Sequence, residues 1–165
     1  MYKPYEIIAK LPPAVSAELF AHLMEKEQML VKATIGTLCK QRKLRPIFVE
    51  RKPKTERVAW LQDALGRKQN EGVAAHFLQI WLVSAHSQLL CDFLDGLGIP
   101  HDENGTIEEL PSAPDKAKLV PVVESLFSKH DPSVVAVYLH AFQSVDESGW
   151  ESLEGLLAED PRLKL

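Results

Sequence analysis

Cysteine is scarce in this chain, with two residues, Cys39 and Cys91, in 165. Neither belongs to a C-x-x-C pair, so no disulfide framework or zinc-finger ligand set can be assembled, and two reduced thiols in apolar surroundings are the expectation. The phosphate-cradling loops G-x-x-x-x-G-K-[ST] and G-x-G-x-x-G are missing, as are the nucleophile elbow G-x-S-x-G, the zinc motif H-E-x-x-H and the E-x-x-H of di-iron bundles. These absences remove the commonest nucleotide, hydrolase and metal chemistries. No catalytic residue, metal or cofactor is expected.

Long apolar runs are also missing. The longest stretch without Asp, Glu, Lys or Arg runs from Gly72 to Cys91, and its His76, Gln79, Ser84, His86, Ser87 and Gln88 would cost a lone membrane span more than its apolar residues return. Mean hydropathy is −0.12, and Met1-Tyr2-Lys3-Pro4 lacks the apolar run of a signal peptide, so the expectation is a cytoplasmic protein without a membrane partner. Strand signals reduce to Ile47-Phe48-Val49, a β-favouring run held between Pro46 and Pro53, which predicts an extended connector over 44–54.

Helical spacing fills most of what remains. Pro12-Pro13 opens a run carrying Val15, Leu19, Phe20, Leu23 and Met24, and the next run, from Leu30 to Cys39, ends among Lys40, Arg42 and Lys43, cations suited to a helix C-terminus. Thr55 is the expected cap of a helix that stops at Gly66, read as a left-handed C-terminal residue. Asn70 opens a helix that is apolar on two stripes through Phe77, Leu78, Trp81 and Leu82, which predicts the central helix of the fold. A further helix ends at Gly98, and Pro114 or Pro121 begins the following one. Asp131-Pro132 then caps a run through Phe142, and Ser148 and Glu151 have the spacing of a capping box for the last helix. The prediction is a single all-α domain over 1–165 with seven to eight helices, arranged as a compact bundle or as stacked helical hairpins. One long loop lies near 99–113, with Asn104-Gly105 at its tip. Weak internal echoes at sixty and at thirty-two residues are read as amphipathic helices of similar length aligning with one another, with true repetition as the alternative.

Charge is distributed unevenly. From Lys40 to Arg57 there are eight basic and two acidic residues, a formal charge of +6, so the remainder carries −10 against a total of −4. From Asp92 to Asp115 seven acids face no Lys or Arg. Either the two segments neutralise one another, or both stay solvated, or the basic segment is an anion- or partner-binding arm using Lys43, Arg45, Arg51, Lys52, Lys54 and Arg57. Nucleic acid fits poorly, because the sequence pI is near 5.9 and Phe48 is the only aromatic there to stack on a base.

Histidine offers the remaining chemistry. Glu18 and His22 share a helix face at i and i+4, and His76, His86 and His140 lie in apolar runs where they could line a pocket between helices. Asp102-Glu103-Asn104-Gly105 fails the calcium-loop pattern, since Gly105 is its fourth residue rather than its sixth. The leading expectation is a non-enzymatic module that binds another protein. The alternative is a small-ligand binder or enzyme with a histidine-lined pocket. Binding of anions or nucleic acid through 40–57 comes third.

Overall fold

The computed structural model describes residues 1–165 as ten α-helices without a strand: α1 (Pro4–Lys10), α2 (Pro13–Lys26), α3 (Gln28–Gln41), α4 (Pro46–Glu50), α5 (Lys54–Leu65), α6 (Glu71–Ala85), α7 (Ser87–Leu97), α8 (Lys116–Lys129), α9 (Pro132–Ser144) and α10 (Glu151–Glu159). Single 3-10 turns follow at Lys68–Asn70 and Pro161–Leu163. No single helix is long and apolar enough to cross a membrane. The all-α expectation holds, and the two helices beyond the predicted count are the shortest. In α1, Pro4 occupies the first turn, where its missing N–H costs nothing, and the Glu6 carboxylate accepts the Lys3 backbone N–H at 2.8 Å. In α4 the run Ile47-Phe48-Val49 is helical rather than extended. Pro46 takes the first helical position, and α3 and α5 pack against the turn.

α9 is the most enclosed element: all ten residues from Val134 to Gln143 are buried. Asp131 starts it as predicted, its carboxylate accepting the N–H groups of Ser133 and Val134 at 2.8 and 3.3 Å. α6, the helix expected at the centre, buries Ala74, Phe77, Leu78, Trp81 and Leu82 but leaves His76 and Gln79 in solvent. The N-terminal helix α1 reaches α5, α6 and α9, so Ile7 and Ile8 join the two halves of the chain. Forty-three buried hydrophobic residues form one contiguous cluster from Ile7 to Leu163. α3 and α4 lie at the margin, with α3 against α2 and α4 against α3 and α5.

Two polar side chains on α9 are buried with it and determine where the C-terminal chain runs. The His140 Nε2–H donates to the Leu163 carbonyl at 2.8 Å. Gln143 donates to the Trp150 carbonyl at 3.0 Å, and its Oε1 accepts from Trp150 N–H at 3.2 Å and from the Ser148 hydroxyl at 2.8 Å. Ser148 is therefore engaged by Gln143, and α10 begins at Glu151 with no side-chain cap. Gly66 is not left-handed, with φ −72°. It is glycine for closeness, since a Cβ there would lie 2.9 Å from that of Ala9. Lys54, not Thr55, begins α5, and α8 starts at Lys116 and carries Pro121 inside it.

Residues 98–115 cross the surface between α7 and α8 as irregular chain. The Asp102 carboxylate accepts the N–H groups of Asn104 and Thr106 at 2.9 and 2.8 Å, closing the predicted tip. At that tip Gly105 has φ +76°, and a Cβ there would sit 2.5 Å from the Cβ of Leu90 on α7, so the backbone itself is seated on the helix. Gly98 also has a positive φ, +71°, with open space around it. Gly98→Ala should therefore cost only the left-handed strain of about 1 kcal/mol, whereas Gly105→Ala should cost at least about 1–2 kcal/mol more, read as a lower urea midpoint at unchanged slope. Equal losses in the two variants would mean that the loop yields freely.

Candidate functional site

The basic segment forms a promontory. Val49 is fully buried and fixes α4 to the body. Leu44, Ile47 and Phe48, spaced as i, i+3 and i+4, turn outward at 42%, 43% and 63% exposure. Only six large hydrophobic side chains are exposed in the whole chain, so finding three within five residues marks this spot. The corner leading into it is a helix-ending turn in which Leu44 N–H donates to the Cys39 carbonyl at 2.9 Å and Lys43 adopts φ +54°.

Of the eight cations from Lys40 to Arg57, Arg42 alone forms an ion pair, with Asp63 at 2.8 Å, and its guanidinium also lies 5.3 Å over the Trp60 ring. That pairing, with Arg67 beside it, holds the Asp63 carboxyl below its ordinary range. Arg57, expected in the binding set, instead donates Nη2 to the Glu50 and Lys52 carbonyls and so ties off the end of α4. Lys40, Lys43, Arg45, Arg51, Lys52 and Lys54 remain without an acidic partner, and the last five flank Leu44, Ile47 and Phe48 in sequence. No ion pair joins 40–57 to 92–115, so the two segments do not pair directly with each other.

The acidic side of the molecule holds a cleft of about 310 Å³ between α6, α7, α9 and the tip of the long loop. Leu82, Leu90, Leu94, Ile107 and Phe142 line it, with Gln79, Glu108 and Asp146 among its polar lining residues. Tyr138 contributes a phenol that burial pushes well above its ordinary pKa, leaving it a neutral donor. Every residue lining the cleft comes from two tracts, 69–115 and 130–161, which contain eight and seven acids and no Lys or Arg. Those tracts are legible in the sequence, but the cleft is not, because it exists only once the loop is seated. A wider and more open depression, about 930 Å³, lies along the loop at Leu97–Asp102 and Pro111–Pro114 beside Trp150.

The predicted histidines do not converge. His76 is exposed on α6, His140 is buried against Leu163, and His86, at the junction of α6 and α7, meets Glu18 at 2.6 Å. His22, one turn after Glu18, meets the Ser84 hydroxyl at 2.7 Å. Because Ser84 donates its own proton to the Ile80 carbonyl, at 2.6 Å, the imidazole N–H donates to the serine oxygen and does not act as its base. The four residues clip α2 to the end of α6. Both cysteines are free, and burial pushes both thiols up, with Asp95, Asp92 and Asp102 adding to the effect at Cys91, so neither supplies a thiolate. No family model, curated protein or solved structure matches the chain.

Two histidines respond to pH with opposite sign. Both nitrogens of His101 face acceptors, the Asp102 carbonyl at 2.5 Å and the Asp95 carboxylate at 2.7 Å, which favours the imidazolium and raises its pKa. Burial lowers that of His140, outweighing the opposite effect of its hydrogen bond to the Leu163 carbonyl. The stability that His101 adds is complete below its unfolded pKa of about 6.5 and is lost as pH rises through the higher folded value. For His140 the unfolded chain takes up a proton that the folded one resists, so stability falls as pH drops through about 6.5. Thermal melts across that range should show the wild type losing its advantage over His101→Ala toward alkaline pH and its advantage over His140→Gln toward acid. A parallel course for the two variants would contradict this assignment.

Proposed function

We propose that the chain is a non-enzymatic interaction module that docks its α4 promontory onto an acidic protein surface containing an apolar recess. The observation carrying this reading is the set of exposed Leu44, Ile47 and Phe48 in a segment whose Lys43, Arg45, Arg51, Lys52 and Lys54 have no acidic partner. Removing those three partly exposed side chains from water is worth roughly 3 kcal/mol in total. The cations steer the encounter and exclude basic partners, contributing more to association rate and selectivity than to affinity. Arg57 acts from beneath, holding the α4 turn rather than touching the partner. Seating the tip in a recess needs both kinds of group, whereas a phosphate backbone needs only the cations.

That difference supplies the test. On an immobilised random copolymer of glutamate and leucine, the wild type should elute above about 150 mM NaCl, and both Arg51→Ala/Lys52→Ala/Lys54→Ala and Phe48→Ser should elute earlier. Elution at or below that salt, changed by neither variant, would overturn the reading. Tighter retention on duplex DNA, weakened by the triple variant and indifferent to Phe48→Ser, would replace it with nucleic-acid binding.

A further inference from the structure

We infer that the promontory's partner is a second copy of this chain, with α4 of one molecule entering the acidic cleft between α6, α7 and α9 of the next. The inference rests on the docking reading above and adds an identity for the acidic surface. The two features are complementary in polarity and in charge. One is an exposed apolar set, Leu44, Ile47 and Phe48, in a segment rich in cations, and the other is a recess of about 310 Å³ lined mostly by apolar side chains. That recess is built entirely from tracts without a single Lys or Arg, and Glu108 and Asp146 are among its lining residues. On the tip side Glu50 is the one acid within α4, followed directly by Arg51 and Lys52, so the net charge a docked copy brings to the cleft is positive.

The two features cannot satisfy each other within one molecule. α4 packs against α3 and α5, none of its residues lines the cleft, and no ion pair connects the segments. Complementarity that is carried by one chain and unused within it is available only between chains. Such a contact joins two different surfaces, so each added copy presents a fresh promontory and a fresh cleft. Association therefore runs head to tail and does not stop at two unless the rotation closes a ring.

Sedimentation velocity on the full chain reads this directly. At about 50 mM NaCl the wild type should grow in mass with concentration, and its association constant should fall at least about tenfold by about 300 mM NaCl. Phe48→Asp, which removes the tip, and Glu108→Lys/Asp146→Lys, which reverses the cleft charge, should each be monomeric, and an equimolar mixture of the two should form a 1:1 complex and nothing larger. Head-to-tail contact predicts that rescue, because the mixture retains one intact tip and one intact cleft. All three changes fall on exposed residues, and Arg51→Glu/Lys52→Glu serves as a second tip variant should Phe48→Asp melt early. A wild type that stays monomeric at about 500 µM and low salt, or a mixture that does not associate, overturns the inference. Retention on the copolymer is read independently, so loss of self-association with copolymer binding intact removes the second copy and leaves the docking surface. Loss of both removes the docking surface as well.

Discussion

A helix buried on every side must hide its polar groups with it, and α9 is such a helix. Between Val134 and Gln143 no residue is more than 6% exposed, so the imidazole of His140 and the amide of Gln143 must find partners within the protein. They find them in chain that is distant in sequence: the Leu163 carbonyl for one, the backbone of Trp150 and the Ser148 hydroxyl for the other. An orphaned buried amide or imidazole costs about 1–3 kcal/mol, enough to reject arrangements of the last twenty residues that leave either one unpaired. Apolar packing makes the C-terminal segment stick, and those bonds determine where it sticks. Trp150, brought in this way, then packs edge-on against Phe142, itself 5.1 Å from Phe93.

The same constraint accounts for how far the sequence could be read. Helices whose signals are local, such as the Asp131-Pro132 start and the Gly98 stop, lie where spacing and capping chemistry put them. Elements that depend on distant chain carry no local signal or a misleading one. α1 has seven residues and little intrinsic stability, and it exists because Ile7 and Ile8 have α5, α6 and α9 to cover them. β-Branched Ile47 and Val49 favour extension locally, but burying Val49 requires one helical turn. Ser148 and Glu151 match a capping box in spacing, yet Gln143 claims the serine. Gly66 is glycine because of Ala9, fifty-seven positions earlier, and no local rule reports that.

The candidate site was legible in part for the same reason. Charge is additive along a chain, so the cationic segment and the cation-free tracts are visible without a fold. Which cations are spent internally is a tertiary property: Arg42 goes to Asp63 and Arg57 to two carbonyls, leaving the others without an acidic partner. The histidines illustrate the opposite failure. Apolar neighbours in sequence suggest a shared pocket, but His76, His86 and His140 face solvent, a glutamate carboxylate and a backbone carbonyl respectively.

The corner between α3 and α4 places Lys43 at φ +54° in a turn where glycine is the relaxed residue. A lysine there gives up about 1 kcal/mol of folding free energy that glycine would retain. The bend therefore carries a positive charge beside Leu44 at some cost in stability, and strain and charge coincide where the chain turns into α4.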